Sequence, residues 1–254
     1  MNDTYVSTHT SHRCLPSQLT PYLQIMREAA CETLWPTRCA LCDVPGTLLC
    51  ERCRKHLPFI DRYHACPRCG YPHGRYICTE CNHFILEKRG LEAYPLDGCA
   101  SVFEHQGSAR RLITTYKDRG EQRLAPLIAH LIADVIDPAW HPDIMTTIPT
   151  RRKARRQRGF DHLEQVGVEL ARLIDKDYEV LLLPHERSDQ RVLGAQERLH
   201  NMKNSFTVKA DASIPPRVLI VDDVLTTGAT LFNAANALRL AGAQCIYGVT
   251  LARA

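Results

Sequence analysis

The sequence has no apolar run long enough to cross a membrane. A membrane-spanning helix needs about 18 or more consecutive apolar residues, whereas the most apolar stretches here, residues 180–183 and 218–221, are short. The first dozen residues are mostly polar and lack the apolar segment that a secretory signal requires. We therefore expect a cytoplasmic protein without a membrane span.

Aromatic residues and net charge are also low. Phe, Trp and Tyr make up 7% of the 254 residues, which leaves few rings on which the bases of a nucleic-acid strand would stack. The formal net charge is only +4, from 32 Lys and Arg against 28 Asp and Glu. Hydrophobic residues at 44% and charged residues at 24% exclude a disordered or fibrous chain. The length allows one large domain or two small ones.

Cysteine, in contrast, is abundant, with twelve residues. In a reducing compartment so many cysteines need an explanation other than disulfides. Eight of them form four Cys-x-x-Cys pairs: Cys39 and Cys42, Cys50 and Cys53, Cys66 and Cys69, and Cys78 and Cys81. Two such pairs complete a tetrahedral cage of thiolates around one zinc ion. The pattern therefore predicts two zinc sites.

The pairing of these ligands is open at the level of sequence. We favour consecutive pairing, with the first four cysteines on one ion and the last four on the other, because the shorter gaps suit hairpin-linked knuckles. A cross-braced arrangement is the alternative. An iron–sulfur cluster also takes four thiolates, but the compact ferredoxin spacing is missing. Redox chemistry normally uses a single pair. Four sulfur ligands leave no open coordination position, which indicates structural rather than catalytic metals.

The spacing of apolar residues divides the chain into three parts. We predict a tail and an amphipathic helix capped by Ser17 over residues 1–34, a double zinc ribbon over 35–93 and an α/β domain over 94–254. In the last part the predicted strands are 99–103, 144–148, 180–183, 218–221 and 245–251. The predicted helices are 107–117, 123–135, 161–174 and 229–241. This alternation indicates a doubly wound parallel sheet with helices on both faces.

The sharpest functional signal follows the strand at 218–221. Asp222 and Asp223 come directly after it, and a turn rich in Thr and Gly leads into the next helix. Open α/β sheets bind ligands at the carboxyl ends of their strands, and a helix N-terminus is suited to phosphate. A receiver domain would need far more chain after Asp223. A Walker-B strand would need a Gly-x-x-x-x-Gly-Lys-Ser/Thr loop, which the sequence lacks.

A basic run follows the strand at 144–148. Residues 151–158 contain six Lys and Arg, at the edge of the sheet that should also hold the acidic pair. Arg151 comes just after the strand and is the best candidate to neutralise a bound pyrophosphate. The remaining cations would bind DNA or RNA by charge alone.

Residues 222–230 resemble the fingerprint of type I phosphoribosyltransferases, which use phosphoribosyl pyrophosphate (PRPP). The resemblance implies that Asp222 and Asp223 bind the ribose hydroxyls and that magnesium accompanies PRPP. It implies that the following turn holds the 5′-phosphate through Thr226, Thr227, Gly228, Ala229 and Thr230.

From about residue 35 onward, the zinc ribbon and this domain together resemble the ComF family of competence proteins. Residues 148–150, which include Thr150, and residues 158–162 resemble that family's pyrophosphate loop. Residues 187–206 resemble its flexible hood loop, and Gly107, Lys117 and Gly120 fit its first helix. One departure is Asp161-His162, where many members carry Asn-Gln.

Two functions fit these features. One is transfer of a phosphoribosyl group from PRPP and magnesium to an acceptor that the sequence does not identify, with Asp222, Asp223 and Arg151 as catalytic residues. The other is a non-catalytic adaptor that binds PRPP, a nucleotide 5′-phosphate or single-stranded DNA, while its zinc ribbons dock a competence or DNA-handling protein. For both, the resemblance implies a role in DNA uptake.

Overall fold

The computed structural model describes Met26, Ala29 and residues 32–34, 36–184 and 206–254. The predicted tail, the Ser17 cap and the hood segment up to residue 205 lie outside the described residues. Within them, Met26, Ala29 and residues 32–34 are helical.

A parallel sheet forms the centre of the structure. The strands are β1 (Gly98–Glu104), β2 (Ile144–Thr147), β3 (Asp177–Tyr178), β4 (Leu182–Pro184), β5 (Phe206–Val208), β6 (Arg217–Leu225) and β7 (Cys245–Arg253). Five of these strands, all parallel, form the central sheet in the order β1-β7-β6-β2-β3. The β4 and β5 strands pair antiparallel as a separate ribbon.

Helices cover both faces of this sheet. The helices of the described residues are α1 (Glu51–Lys55), α2 (His83–Lys88), α3 (Gly107–Lys117), α4 (Leu124–Ala133), α5 (Arg152–Arg158), α6 (His162–Leu173) and α7 (Ala229–Leu240). On one face, Leu219 and Val221 of β6 lie in a core with α3, α4 and α6. On the other face, Val218 and Ile220 lie in a core with α7. The α/β fold with a doubly covered parallel sheet is confirmed, and this burial on both faces explains the unbroken apolar run of β6.

The predicted strand at 180–183 overlaps β4, which begins at Leu182, but its predicted place in the parallel sheet is wrong. The edge of the sheet is the two-residue strand β3, after which the chain leaves the sheet and forms the ribbon of β4 and β5. The N–H of Leu181 donates to the Thr146 hydroxyl at 3.1 Å, and both Leu181 and Leu182 are fully buried. Because a short apolar run reports burial rather than strand pairing, the sequence pattern could not distinguish the two arrangements.

The segment between the two groups of cysteines is attached to the free edge of β1. The N–H of Ile60 donates to the Val102 carbonyl, and the N–H of Glu104 donates to the Pro58 carbonyl, both at 2.9 Å. Phe59 forms an antiparallel bridge with Phe103, and their ring centroids lie 4.8 Å apart. An exposed strand edge invites pairing with other chains, so this contact covers the edge and joins the cysteine-rich segment to the sheet.

We expect Phe103→Ala to destabilise the protein by about 3–5 kcal/mol, because this fully buried ring fills the joint between the two parts. Phe84→Ala is the matched control, since Phe84 is 81% exposed and its loss should change stability by less than about 0.5 kcal/mol. Denaturant unfolding in zinc-containing buffer measures both free energies. Equal effects of the two substitutions would contradict the prediction.

Candidate functional site

The acidic pair lies near the carboxyl end of the central strand β6. This strand continues through Asp222 and Asp223 to Leu225, beyond the predicted end at residue 221. The neighbouring strand β2 is paired up to the level of Val221. Asp222 is buried, whereas the side chain of Asp223 is 18% exposed. The pair therefore stands where the sheet opens to a ligand.

Two basic side chains from different helices meet at Asp223. Lys117, the last residue of α3, forms an ion pair with Oδ2 of Asp223. His162, the first residue of α6, has its Nε2 3.2 Å from the same oxygen. The sequence placed Lys117 in the region similar to the family's first helix and His162 in the pyrophosphate-loop region, but it did not predict that either side chain contacts Asp223. They stand at a helix end and a helix start, and no motif spacing marks their convergence.

His162 is held in a defined orientation. It is buried, and its carbonyl accepts a hydrogen bond from the Tyr116 hydroxyl at 2.6 Å. Its Nδ1 lies 3.4 Å from Nη1 of Arg158. Because a guanidinium can only donate, Nδ1 accepts, and Nε2–H is left to donate to Asp223. The ring therefore positions the carboxylate.

The preceding residue, Asp161, has a different role. Its side chain caps α6 by accepting hydrogen bonds from the N–H groups of Leu163 and Glu164, both at 3.2 Å. It also accepts a hydrogen bond from the Thr150 hydroxyl at 2.9 Å. At the two positions where many family members carry Asn-Gln, Asp161 thus caps helix α6 and His162 donates a hydrogen bond to Asp223.

The two carboxyl groups differ in charge state. Burial raises the pKa of Asp222 to about 8, and the negative charge of Asp223 adds to this effect. Burial also acts to raise the pKa of Asp223, but the hydrogen bond from His162 and the charge of Lys117 outweigh it and hold that pKa well below its usual range. At neutral pH Asp223 is ionised and Asp222 is largely protonated.

The turn between β6 and α7 brings the predicted phosphate residues together. Thr226, Thr227 and Thr230 are exposed, and Ala229 begins the twelve-residue helix α7. Gly228 has a φ of +81°, and a Cβ there would lie 2.4 Å from the Phe232 ring, so only glycine fits. The N–H groups of the first turn and these hydroxyls offer donors to an anion.

The basic run forms helix α5, and its cations point in different directions. Arg151 precedes the helix and is exposed. Arg158, at the other end of the helix, lies near the acidic pair. Its Nη2 is 3.4 Å from Asp118, and its Nη1 is close to His162, which contacts Asp223. The role of Arg151 stays a prediction. Arg158 belongs to the stretch 158–162 that the sequence matched to the pyrophosphate loop, but its contact with His162 was not predicted.

The eight paired cysteines form two separate clusters. Cys39, Cys42, Cys50 and Cys53 make the first, and Cys66, Cys69, Cys78 and Cys81 the second, with all sulfur atoms of a cluster within 4.8 Å of one another. Consecutive grouping is therefore confirmed and the cross-braced alternative is wrong. Neighbouring sulfur atoms lie 3.5–3.6 Å apart. Tetrahedral zinc with sulfur at about 2.3 Å requires about 3.8 Å, so both clusters fit the ion.

The thiols of the first cluster differ in their surroundings: burial and neighbouring thiols raise the pKa of Cys53 to about 12, whereas the surroundings of Cys39 favour the thiolate. Burial acts to raise the pKa of Cys39, but hydrogen bonds from the N–H groups of Cys50, Leu41 and Cys42 outweigh it and lower that pKa to about 6. In the second cluster, a Cβ on Gly74 would lie 2.7 Å from Cys66 Cβ. That loop therefore needs glycine to close around a metal.

Metal analysis of the purified protein should find close to two zinc ions per chain, one for each cluster. Cys69→Ser should lower the content to about one, because it removes a buried ligand of the second cluster. Cys245→Ser is the control, since Cys245 lies outside both clusters and should keep both ions. Iron, or no bound metal, would contradict the assignment.

The raised pKa of Asp222 should make stability depend on pH. An unfolded Asp loses its proton near its ordinary pKa of 3.8, whereas folded Asp222 keeps it up to about pH 8. The stability contributed by this group therefore falls as the pH rises between these two values. We expect the free energy of unfolding to fall more from about pH 5 to about pH 8 in wild type than in Asp222→Asn.

Denaturant unfolding across this pH range measures the difference, and Asp134→Asn at an exposed position is the control. Zinc binding also depends on pH, but that dependence is common to all three proteins. Parallel curves for wild type and Asp222→Asn would show that Asp222 does not retain its proton.

Comparison with known proteins gives relatives for most of the chain. Residues 30–82 match the double zinc ribbon domain family. The chain is 25% identical over 214 residues to the competence protein ComFC of Bacillus subtilis, covering 82% of this chain and 85% of that protein. It is 26% identical to the DNA utilization protein YhgH of Escherichia coli, covering 83% and 94%. Competence protein F of Haemophilus influenzae is 25% identical, covering 81% and 90%.

Solved structures show more distant similarity. Glutamine PRPP amidotransferase from Bacillus subtilis matches 50% of this chain with a TM-score of 0.37 and 19% identity, and the match spans only a quarter of that enzyme. Adenine phosphoribosyltransferase from Leishmania tarentolae matches 55% of this chain and 74% of its own, with a TM-score of 0.34 and 12% identity. Among the described residues, the helices are all too short or too polar to cross a membrane. Over about four fifths of its length the chain is thus similar to the competence proteins ComFC and F, and its residues 30–82 match a double zinc ribbon domain.

Proposed function

We propose that the chain binds PRPP or a nucleotide 5′-phosphate at the carboxyl edge of the sheet and transfers the phosphoribosyl group to an acceptor. The observation that carries this proposal is the ionised Asp223, held by Lys117 and His162 directly before the exposed turn at 226–230. The Asp223 carboxylate can accept hydrogen bonds from hydroxyl groups, and the turn at 226–230 can donate hydrogen bonds to a phosphate. The two lie next to each other, on β6 and at the start of α7.

In this site each group has a separate task. The Asp223 carboxylate accepts hydrogen bonds from the ribose hydroxyls, while the protonated Asp222 keeps the buried pair from carrying two negative charges. The N–H groups and hydroxyls of the turn bind the 5′-phosphate. In the transfer, the bond from the anomeric carbon to pyrophosphate breaks and the acceptor's lone pair forms the new bond.

The charge that develops on the leaving pyrophosphate needs nearby cations. Lys117 is placed at Asp223, and Arg158 lies beside His162. Arg151 stands exposed ahead of α5 and is the candidate from the sequence. Magnesium, where it accompanies PRPP, would supply further neutralisation, and the ionised carboxylate of Asp223 is the kind of hard oxygen ligand it prefers.

A second candidate function is favoured by a cavity of about 450 Å³ between the first cysteine cluster and α3. Four arginines line it: Arg38, Arg111, Arg119 and Arg123. Two of them are paired within the cavity, Arg38 with Asp43 at 3.1 Å and Arg123 with Glu121 at 2.8 Å. The other two arginines have no ion pair among the described residues. This lining suits a phosphodiester backbone, as an adaptor for single-stranded DNA would need.

One titration separates these functions. PRPP with magnesium, and then 5′-phosphorylated single-stranded DNA, are titrated into wild type, Asp222→Asn/Asp223→Asn and Arg111→Gln/Arg119→Gln. Loss of charge-assisted hydrogen bonds worth about 1.5–3 kcal/mol each should weaken PRPP binding by the carboxylate variant at least tenfold. Its DNA binding should stay intact, and the arginine variant should show the reverse.

Asp134→Asn is the control for a lost surface carboxylate and should bind both ligands like wild type. Release of pyrophosphate from PRPP then distinguishes an enzyme from a binding module. A wild-type protein that does not bind PRPP would overturn the first function, and unchanged DNA binding by the arginine variant would overturn the second.

A further inference from the structure

Arg253, near the end of β7, is an arginine in an unusual environment. Only 8% of its surface is exposed to solvent. Its Nη1 donates to the carbonyl of Cys69 at 2.5 Å, and its guanidinium carbon lies 5.5 Å from the centre of the Tyr71 ring. Both contacts belong to the second cysteine cluster and the knuckle around it.

A buried guanidinium needs a negative partner, because an unpaired buried charge costs several kcal/mol. Other arginines at the sheet have one: Arg217 pairs with Asp143 at 2.6 Å, and Arg239 pairs with Asp97 at 2.9 Å. For Arg253, no carboxylate lies within ion-pair distance among residues 36–184 and 206–254. The second cluster is a nearby group that becomes negative, since four thiolates around one divalent ion carry a net charge of −2.

We propose that Arg253 is the counter-ion of the second metal–thiolate cluster and couples that cluster to the edge of the sheet that carries Asp222 and Asp223. Its charge stabilises the loaded cluster, and its hydrogen bond to Cys69 orients the first knuckle of that cluster. In return, the loaded cluster compensates the buried guanidinium.

The coupling runs through the pairing of β6 and β7. Arg253 is opposite Leu225, and the N–H of Ala254 donates to the Leu225 carbonyl at 2.9 Å. Leu225 stands between Asp223 and the phosphate turn. On the other side, the N–H of His105 donates to the Arg253 carbonyl at 2.6 Å. Loss of the metal leaves an uncompensated cation at this point of the sheet, so the strand end that carries the acidic pair loosens.

The test compares zinc release to a chromogenic chelator from full-length wild type, Arg253→Met, Arg253→Lys and the control Arg217→Met. Partners that orient metal ligands typically contribute 10–100-fold to metal affinity. Arg253→Met should therefore release one of the two zinc ions at least tenfold faster and keep the other at the wild-type rate. Arg253→Lys keeps the charge but loses the guanidinium geometry, so its rate should lie between the two.

Hydrogen exchange of residues 222–228 gives the second readout. In wild type, chelation should speed this exchange, whereas in Arg253→Met the exchange should already be fast with both ions bound. Retention of the first zinc ion shows that a variant is folded. If Arg253→Met does not fold, a lysine variant with the wild-type zinc release rate overturns the proposal. Wild-type release by Arg253→Met, or equally fast release by Arg217→Met, overturns it as well. Neither readout uses PRPP, so this result is independent of the proposed function.

Discussion

Burial of β6 on both faces is the constraint on which the rest of the structure depends. Residues 218–221 are fully buried, with alternate side chains in the two cores. This burial fixes the position of the strand, and its carboxyl end therefore presents Asp222, Asp223 and the turn at 226–230 in one place. A strand exposed on one face would leave that end free to shift, and the acidic pair would lose its position relative to α3 and α6.

Buried charge is the second organising problem, and the protein solves it with partners from distant parts of the chain. Asp223 receives Lys117 and His162, which stand 106 and 61 residues away in sequence. One carboxyl group of the pair is thereby ionised and the other protonated, which avoids two adjacent negative charges in a dry site. A ligand with hydroxyl groups meets a charged acceptor that is already oriented.

The cysteine-rich segment is more than an appendage to the sheet. Residues 58–60 cover the edge of β1, and Cys39, Leu41 and Leu57 share a core with α3 and α4. The second cluster shares the opposite core with α7. Both faces of the sheet thus contact a cysteine cluster, so the cysteine-rich segment and the α/β fold stabilise each other. A small polar segment obtains from metal and from the sheet the stability that its own burial cannot supply.

The sequence by itself determined the α/β class, the eight cysteine ligands, and the turn that follows the acidic pair, because these depend on local spacing. Only the tertiary structure decided how the cysteines are grouped and which strand the apolar run at 180–183 pairs with. It also decided that Lys117 and His162 converge on Asp223. The physical reason is the same in each case. Apolar periodicity reports burial but not the neighbour against which a residue is buried, and long-range charge pairing leaves no spacing rule in the chain.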